Sequence, residues 1–319
     1  MLTLLCPVFN EEKYINNILS FFLESKPTEK EIYFIDGGST DNTVQIIQNF
    51  IKKNSNIKLL INPNRFVPFA LNLGIKSSKG DPIIRLDAHT IYSIDYCEKI
   101  LEVFNETKAD IVGGPMIKSG ESFFQKTVAY CSSTSLGIGN SKIHQVNYDG
   151  PSDHVYLGAW KRNLFNDIGY FDENLLRNQD DEFHYRAKSM GKKIFLSSRI
   201  KSQYFPRKNL KKLFSQFFQY GLFKPLVLQK VKSEFKFRHI IPSIFVLYVL
   251  LLPLWYNSLL LSSMLFVYFL LVTIFAESSH LSLYSKILCF VVYPTIHIAY
   301  GLGFLFGLFT SNRIMKRFL

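Results

Sequence analysis

Apolar and polar positions alternate regularly over roughly the first 115 residues. Short apolar runs, which predict strands, take turns with amphipathic stretches, which predict helices, in the order Leu2 to Cys6, Tyr14 to Leu23, Ile32 to Ile35, Val44 to Ile51, Ile57 to Ile61, Pro68 to Lys76, Ile83 to Leu86, Tyr96 to Phe104 and Asp110 to Val112. Strands that alternate with helices at a steady spacing are typical of βαβ units. The predicted fold class is therefore α/β, with a mostly parallel sheet.

The following residues change in character twice. Residues 116 to about 205 mix Gly, Ser, Asn and Asp with aromatic side chains, and we expect them to complete one globular domain, 1–205. From 206 to 238, apolar residues recur at helical spacing among lysines. This pattern predicts a basic amphipathic helix that lies in a membrane interface.

The segment 239–311 is mostly apolar and is predicted to form two or three membrane spans. Ile240 to Ala276 is long enough for two helices of about 18 residues, joined near Pro253 to Ser258, and Ile287 to Thr310 is long enough for a third. A basic tail follows at 312–319. Because basic residues lie on both sides of the apolar segment, the positive-inside rule favours an even number of crossings. Three apolar runs satisfy that rule only if one is re-entrant or interfacial, and the sequence leaves the choice open.

The charge of the chain indicates an anionic partner. Lys and Arg number 37 against 25 Asp and Glu, which gives a formal net charge of +12. Fifteen of the basic residues lie between Arg186 and Arg238, where Glu234 is the one acid, and this stretch runs into the apolar segment. A membrane surface is the favoured partner. Nucleic acid is not expected, because no helix-turn-helix, zinc-finger or RNA-binding signature accompanies the basic stretch.

The cysteines and the first residues bear on the compartment. Cys6, Cys97, Cys131 and Cys289 are far apart and include no C-x-x-C pair, which favours reduced thiols over a zinc site or a disulfide framework. The first apolar run has no positively charged region before it, so it does not resemble a secretory signal. We therefore expect the 1–205 domain in the cytoplasm.

Three polar clusters directly follow predicted strands. They are Pro7 to Glu11, Asp36 to Asp41 and Asp87-Ala88-His89. Each alone could be an ordinary turn or helix cap, with Asn10 capping the first helix and Ser39 or Thr40 the second. However, open parallel sheets bind ligands at the carboxyl ends of their strands. The convergence of all three clusters on one edge favours a ligand site.

A fourth cluster, Arg177 to Arg186, contains the consecutive acids Asp180, Asp181 and Glu182. Acids in a first helical turn interact favourably with the helix dipole, so a structural role is one interpretation. The other is that one carboxylate acts as a general base while its neighbours orient it or bind an acceptor hydroxyl. Arg177 and Arg186 could neutralise the packed carboxylates.

Many of these segments resemble known sequences. P-V-F-N-E-E, I-D-G-G-S-T-D-N-T, Asn72-Leu73-Gly74 and D-A-H resemble the nucleotide-sugar half of glycosyltransferase family 2, the inverting transferases of GT-A fold. Further segments resemble the succinoglycan-type exopolysaccharide glycosyltransferases of bacteria: G-G-P-M, G-I-G-N-S, H-V-Y-L-G-A-W-K-R, G-Y-F-D-E, R-N-Q-D-D-E, Tyr220-Gly221 and H-I-A-Y-G-L-G-F-L. The resemblance covers nearly the whole chain.

The resemblance implies a nucleotide-sugar donor, with uracil as the favoured base, and a divalent metal ion, Mn²⁺ or Mg²⁺. The implied donor-binding residues are Pro7, Asn10, Glu11, Asp36 and Asp87. Asp87 and His89 are the implied metal ligands, and His89 stands where the family has a carboxylate, which tilts the preference mildly toward Mn²⁺. Gly37 replaces the second Asp of the common D-D-G-S-T-D pattern, a base-contacting position.

The acid cluster resembles the catalytic pair of the family. Asp180 matches the catalytic Asp, and Gln179 replaces the Glu before it. The role implied for Asp180 is to deprotonate the acceptor hydroxyl as it attacks the anomeric carbon, a direct displacement that inverts that centre. The expected acceptor-binding residues are Trp160, Gln179, Asp181 and Glu182.

These features together predict a membrane-anchored inverting glycosyltransferase of the bacterial inner membrane, with its catalytic domain in the cytoplasm. It would add one sugar to a lipid-linked saccharide in surface or exopolysaccharide synthesis. The Q-x-x-R-W motif of processive synthases is not reproduced, since Gln216 is followed by Gln219-Tyr220. Two alternatives stay open: a polyprenyl-phosphate glycosyltransferase that charges the lipid carrier itself, and a membrane protein that senses a nucleotide sugar without catalysis.

Overall fold

In the computed structural model, which describes residues 1–139, 141–232, 235–255, 258–310, 315 and 318, the chain passes three times between two units. The first unit comprises Met1–Ile117 and Gln145–Tyr204, and the second comprises Lys118–His144 and Phe205–Leu319. The segment 118–144, which the sequence assigned to the first domain, therefore groups with the C-terminal helices. Most of the predicted basic tail, 312–319, lies outside the described residues.

The first unit is built on an eight-stranded sheet with the order β3-β2-β1-β4-β9-β6-β10-β8. Its strands are β1 (Leu2–Val8), β2 (Lys30–Asp36), β3 (Ile57–Ile61), β4 (Ile83–Arg85), β6 (Ile111–Gly114), β8 (Gly150–Pro151), β9 (Tyr156–Trp160) and β10 (Ile194–Leu196). β1 pairs in parallel with β2 and β4, β2 with β3, and β6 with β10. β9 is inserted antiparallel between β4 and β6, and β8 is antiparallel to β10. The predicted α/β fold with a mostly parallel sheet is confirmed.

Each strand and helix predicted over the first 115 residues is present. The helices of the first unit are α1 (Ile15–Glu24), α2 (Thr43–Ile51), α3 (Val67–Ser77), α4 (Tyr96–Thr107), α7 (Leu164–Ile168) and α8 (Gln179–Ser189). Two short strands, β5 (Ile91–Tyr92) and β11 (Ser202–Tyr204), pair antiparallel outside the main sheet, and β7 (Ile117–Lys118) lies where the chain leaves the first unit. The buried faces of α1 and α4 pack on β1 in one apolar core.

The strand order places a switch point beside β1. The chain runs from β1 through β2 to β3 on one side of the sheet and then continues at β4 on the other side. Ligands of open α/β sheets bind in the crevice at such a point, at the carboxyl ends of the strands. The loops after β1 and β4 border this crevice.

The second unit is helical. Its helices are α5 (Phe123–Cys131), α6 (Ser135–Ile138), α9 (Leu210–Lys230), α10 (Ile241–Trp255), α11 (Leu259–Glu277) and α12 (Leu283–Phe309). Within the described residues, α12 is the one helix whose length and composition would allow it to cross a membrane, and half of its most apolar stretch is buried in the unit. The predicted turn near Pro253 to Ser258 corresponds to the break between α10 and α11, although residues 256 and 257 lie outside the described residues.

Helices α9 and α12 meet backbone to backbone through glycines. A Cβ atom on any of these glycines would overlap a backbone carbonyl oxygen of the other helix: Gly221 that of Tyr300, Gly303 that of Phe218, and Gly307 that of Leu222. Positions 218 and 222 thus face 303 and 307, so the two helices run in the same direction. This contact brings together two segments of the sequence resemblance, Tyr220-Gly221 and H-I-A-Y-G-L-G-F-L.

His297 of α12 binds two neighbouring elements of the second unit. Its Nδ1 lies 2.9 Å from the hydroxyl oxygen of Tyr268, and its Nε2 lies 2.8 Å from the carbonyl oxygen of Leu136. Because a carbonyl oxygen only accepts, Nε2 carries the proton and Nδ1 accepts from the tyrosine. An ionisable residue in an apolar helix can indicate function, but here the imidazole joins helices.

Candidate active site

The loops that follow β1 and β2 are hydrogen-bonded to each other. Asn10 has a left-handed backbone, with φ at 55°. Its N–H donates to Oγ of Ser39 over 2.9 Å, and its side-chain oxygen accepts from the N–H of Thr40 over 2.8 Å. Helix α1 begins only at Ile15, so the expectation that Asn10 caps it is wrong. Asn10 instead fixes the spacing between two loops of the site edge.

Asp36 shapes the second of these loops. Its carboxylate is buried and accepts the N–H of Gly38 over 2.9 Å and the N–H of Ser39 over 3.1 Å. Pro7, another predicted donor-binding residue, lies inside β1 and pairs with Ile35 of β2. Both residues therefore hold the edge of the sheet in place, and a direct contact of either with a donor stays a prediction.

The glycine at position 37 is required by a close backbone approach. A Cβ atom there would lie 2.7 Å from the carbonyl oxygen of Arg65. Arg65 has φ at 66°, and its guanidinium carbon lies 4.1 Å from the ring centroid of Phe9. The loop that carries Arg65 thus occupies the space into which the family's second Asp would extend. This explains the departure from the D-D-G-S-T-D pattern.

Gly37→Asp is expected to damage this edge. Because the new Cβ would crowd the backbone of Arg65, we expect the free energy of unfolding to fall by about 1–3 kcal/mol, together with weaker nucleotide binding. Thermal unfolding and calorimetric UDP binding measure the two effects. Asn64→Asp adds the same charge to the exposed loop nearby and serves as the control. Unchanged unfolding of Gly37→Asp would mean that the Arg65 loop gives way easily.

Arg85, which belongs to none of the predicted site clusters, binds Asp87 at the end of β4. Its Nε lies 3.0 Å from one carboxylate oxygen of Asp87, and its Nη2 lies 3.3 Å from the other. Burial acts to lower the pKa of Arg85, but the charges of Asp87 and Asp180 hold that pKa above its ordinary value. The sequence feature that could have indicated Arg85 is its position as a cation in an otherwise apolar strand, Ile83-Ile84-Arg85-Leu86.

Asp180 lies in the first turn of α8, within the field of Arg85. Burial and the neighbouring charge of Asp181 raise the pKa of Asp180, while Arg85 opposes the rise. One of its carboxylate oxygens accepts the N–H of Asp181 over 3.1 Å. A carboxylate with a raised pKa is a stronger base. The predicted base and the predicted donor-site carboxylate Asp87 thus interact with the same guanidinium.

The other acids of this cluster have different surroundings. Glu182 is buried and binds Arg186 through two contacts, Nε to Oε1 at 2.7 Å and Nη2 to Oε2 at 3.0 Å. This ion pair uses the carboxylate of Glu182 inside the fold, so the expectation that it binds an acceptor is not met. Gln179 is buried and Asp181 is half-buried beside Asp180. Their acceptor roles stay predictions.

Trp160 belongs to the core rather than to the site surface. It is 1% exposed, and its ring contacts Phe165, Phe171 and Phe183 with centroids 5.3–6.1 Å apart, each edge to face. A fully buried indole has no ring face for a sugar. The prediction that Trp160 binds the acceptor is therefore wrong, because its ring is part of the aromatic core.

Asn72 connects two of the segments that carried the sequence resemblance. Its side-chain amide donates to the carbonyl oxygen of Phe171 over 2.9 Å and to Oε1 of Glu173 over 2.9 Å. The N–H of Phe171 donates back to the side-chain oxygen of Asn72 over 3.0 Å. The Asn72-Leu73-Gly74 and G-Y-F-D-E segments therefore form one structural element next to the Trp160 cluster.

His184 lies one helical turn after Asp180 and was not selected from the sequence. It is 2% exposed, and neither ring nitrogen has a hydrogen-bond partner among the described residues. Burial lowers the pKa of His184 to about 3, with the charge of His154 acting in the same direction. The imidazole is therefore neutral at ordinary pH. It adds no positive charge that would lower the pKa of Asp180.

The predicted metal ligand His89 is oriented by Glu11. Its Nδ1 lies 3.0 Å from Oε1 of Glu11, whose backbone N–H is in turn bound by Oγ1 of Thr43 over 2.8 Å. A carboxylate beside Nδ1 favours the proton on that nitrogen and the lone pair on Nε2. Metal-binding histidines commonly have such a carboxylate partner. The pair fits His89 as a metal ligand and gives Glu11 the role of orienting it.

Asp87 and His89 fit a site in which they bind a divalent cation together with an anionic ligand. Within the part of the chain that the structure describes, no group of three or more His, Cys, Asp or Glu side chains is arranged to hold a metal ion. Asp87 and His89, two residues apart after β4, provide an oxygen and a nitrogen donor, which suit Mn²⁺ or Mg²⁺. The remaining ligands would have to come from a bound diphosphate and from water.

Comparison with known proteins places this geometry in context. The model of Glycosyl transferase family 2 matches residues 3–169. Succinoglycan biosynthesis protein ExoA of Rhizobium meliloti (strain 1021) is 33% identical over 219 residues, which cover 67% of this chain and 66% of that protein. Dolichyl N-acetyl-alpha-D-glucosaminyl phosphate 3-beta-D-2,3-diacetamido-2,3-dideoxy-beta-D-glucuronosyltransferase of Methanococcus voltae is 28% identical over 329 residues, which cover 99% of each chain.

Solved structures share the fold. Mannosyltransferase PcManGT from Pyrobaculum calidifontis, in complex with GDP-Man and Mn²⁺, superposes with a TM-score of 0.60 at 16% identity and covers 97% of this chain and 87% of its own. TarS 1-349 from S. aureus superposes with a TM-score of 0.54 at 16% identity and covers 95% and 90%. At these identities the likeness concerns the fold alone.

Proposed function

The chain belongs to glycosyl transferase family 2, and on that premise we propose that it is an inverting glycosyltransferase that moves one sugar from a UDP-sugar to a lipid-linked saccharide. The observation that supports this most directly is Arg85, which binds Asp87 of the predicted donor site and interacts electrostatically with Asp180. A donor-site carboxylate and a base candidate thus lie in one electrostatic unit. The coarser statement, a glycosyltransferase of glycan synthesis, follows from the family and its relatives.

Asp180 would act on the acceptor. Its carboxylate takes the proton from the acceptor hydroxyl while the hydroxyl oxygen forms a bond to the anomeric carbon of the donor. The bond between that carbon and the diphosphate oxygen breaks on the opposite side, so the configuration inverts. The raised pKa of Asp180 suits it to receive this proton.

Asp87 and His89 would act on the donor. A divalent cation held by these two side chains would neutralise the negative charge that develops on the departing diphosphate. Arg85 fixes the orientation of Asp87, and Glu11 fixes that of His89. The loop formed by Asp36 and Asn10 would position the nucleoside at the neighbouring strand ends.

The acceptor is proposed from chemistry and from the relatives. The relative of Methanococcus voltae, which the chain covers almost completely, is named for transfer to a sugar on dolichyl phosphate. The apolar helices and the basic stretch before them would hold the site near a lipid-borne acceptor. We therefore place the enzyme on the cytoplasmic face of the cell membrane, in surface or exopolysaccharide synthesis.

The first test is calorimetric binding of UDP to the detergent-solubilised protein, with and without Mn²⁺. We expect binding that needs the metal and that weakens at least tenfold in Asp87→Ala and in His89→Ala, because each removes one of the two proposed ligands. Glu98→Ala removes an exposed acid of the same unit and should bind as the parent protein does. Binding of GDP in place of UDP would correct the base, and binding of no nucleotide would contradict the proposed function.

The acceptor class is tested by product formation. With UDP-sugars as donors, a lipid-linked saccharide is expected to accept the sugar, whereas bare polyprenyl phosphate is not. Mass spectrometry of the extracted lipid distinguishes the products. Transfer to bare polyprenyl phosphate would instead support an enzyme that charges the carrier.

The rate of transfer should depend on pH through Asp180. Only the deprotonated carboxylate can accept the hydroxyl proton, so the rate falls as the pH drops through its pKa. Because burial and Asp181 raise this pKa, the acid limb of kcat should lie above the ordinary aspartate pKa of about 3.9. Arg85→Met removes the charge that opposes the rise and should move the limb to higher pH. An acid limb at the same pH in both proteins would contradict this assignment.

A further inference from the structure

The basic helix α9 and the apolar helix α12 lie side by side with their backbones in contact over about two turns of α12. Phe218 faces Gly303, Leu222 faces Gly307, and the backbones touch at both points. Helices that run in the same direction with their backbones in contact must lie at similar depths in any surrounding medium. The sequence predicted an interfacial helix at 206–238 and a membrane span from Ile287 to Thr310, and this contact makes those two predictions incompatible.

Helix α9 is too polar to lie across the hydrocarbon core. Lys211 and Lys212 are exposed in its first turn, whereas Lys224 in its second half is buried inside the unit. The exposed face between them is also polar: Gln216 donates to the hydroxyl oxygen of Tyr220 over 3.0 Å, and Gln219 donates to Oγ of Ser215 over 3.4 Å. Polar and charged side chains that face hydrocarbon are costly and rare. Since α12 accompanies α9, its C-terminal half does not cross the bilayer either.

The helices α10 and α11 form an apolar hairpin. α10 has 15 residues and is about 22 Å long, which is less than the hydrocarbon thickness of about 30 Å. α11 starts four residues after α10 ends, and the rings of Phe245 and Tyr268 stack at 4.6 Å where the two helices meet. Several outward side chains of the hairpin are exposed and apolar: Ile244, Leu247, Leu250, Leu254, Phe266, Val267 and Leu270.

We propose that the second unit is monotopic: the α10–α11 hairpin enters one leaflet of an anionic bilayer and no helix crosses it. This rests on the proposed function, which places the acceptor in a membrane. Exposed Leu210 and Phe214 of α9 lie beside Lys211 and Lys212, a combination suited to the boundary between anionic headgroups and acyl chains. A monotopic unit also agrees with the positive-inside rule, because it needs no crossing between the two basic stretches that flank the apolar segment in the sequence.

Cysteine accessibility in sealed vesicles tests the topology. Three single replacements are made in the full-length protein, whose four native cysteines are buried. Ser258→Cys lies at the tip of the hairpin, directly before α11. His280→Cys lies between α11 and α12, and Thr310→Cys directly follows α12. A membrane-impermeant maleimide is applied to inside-out and right-side-out vesicles. We expect positions 280 and 310 to react from the cytoplasmic face only, and position 258 to react from neither face until detergent is added.

Two labelling results would overturn the proposal. Reaction of positions 280 and 310 from opposite faces would show that α12 crosses, and reaction of position 258 from the outer face would show that the hairpin crosses. Loss of the whole protein from membranes washed with carbonate would also overturn it. The proposed transferase activity is assayed separately on solubilised protein with solubilised acceptor, so its failure is distinguishable from each of these results.

Vesicle binding tests the role of the lysines. Each lysine near an anionic surface strengthens binding roughly fivefold. Lys211→Gln with Lys212→Gln should therefore weaken binding to vesicles containing anionic lipid about 25-fold and leave binding to neutral vesicles nearly unchanged. The matched control, Lys52→Gln with Lys53→Gln, removes two exposed lysines from the first unit. Equal losses in the two double variants would contradict an α9 surface that faces the headgroups.

Discussion

Replacing Asp180 by Asn will lower the rate of sugar transfer by about 10²–10⁴-fold, the usual contribution of a general base. The amide cannot take the proton of the acceptor hydroxyl. The start of α8 should survive, because the side-chain oxygen that accepts the N–H of Asp181 is retained. UDP binding in the presence of Mn²⁺ should stay within about twofold of the parent value. The measurements are kcat at saturating donor and calorimetric affinity.

Asp181→Asn is the matched control for this prediction. It changes the next residue of the same helical turn, removes one negative charge from the same cluster, and leaves Asp180 as the base. Its rate should fall far less, although loss of the charge that raises the pKa of Asp180 should move the acid limb to lower pH. A large loss in Asp181→Asn with an active Asp180→Asn would assign the base to Asp181. Full activity in both variants would contradict either aspartate of this cluster as the base.

Gly303→Leu is expected to have the largest effect on stability. Its Cβ would overlap the carbonyl oxygen of Phe218, and the remaining side chain would enter the contact between α9 and α12. Overpacking of an interior costs about 1–3 kcal/mol and more where backbone must move, so we expect the melting temperature in detergent to fall by several degrees or the variant to fail to accumulate. Circular dichroism during heating and the yield of folded protein measure this.

Val291→Leu provides the comparison for Gly303→Leu. It places the same side chain on an exposed position of the same helix and should melt as the parent protein does. A smaller change, Gly303→Ala, keeps the test informative if the leucine variant cannot be isolated, since it adds the overlapping Cβ alone. Parent-like melting of Gly303→Ala would mean that the two helices separate without cost, which contradicts a backbone-to-backbone contact.

The alternation of strands and helices could be predicted because it depends on local periodicity. Each apolar run of the first 115 residues is a strand of the sheet, and each amphipathic stretch is a helix that connects two strands. The three polar clusters lie at the carboxyl ends of their strands. β9 is different, because it enters the sheet antiparallel between β4 and β6 from a distant part of the chain. Its place is set by pairing partners that no local pattern reveals. The segment 118–144 groups with the C-terminal helices because Val128 and Cys131 of α5 pack against helices that are distant in sequence.

The role of individual side chains was harder to predict than their position. Trp160 and Glu182 lie beside residues of the candidate site in sequence, yet both point into the interior, one among aromatic rings and one against Arg186. Conversely, Arg85 looked like an isolated charge in a strand but binds Asp87. Whether a polar residue faces a ligand or a buried partner depends on contacts with residues that are distant in sequence.

Arg85 also gives both halves of the reaction a fixed electrostatic background. Its guanidinium holds Asp87 through two contacts and at the same time limits the rise in the pKa of Asp180. A guanidinium stays protonated in proteins, so this positive charge is the same before and after the donor leaves. The background is therefore set by the fold alone and requires no movement of a loop or domain.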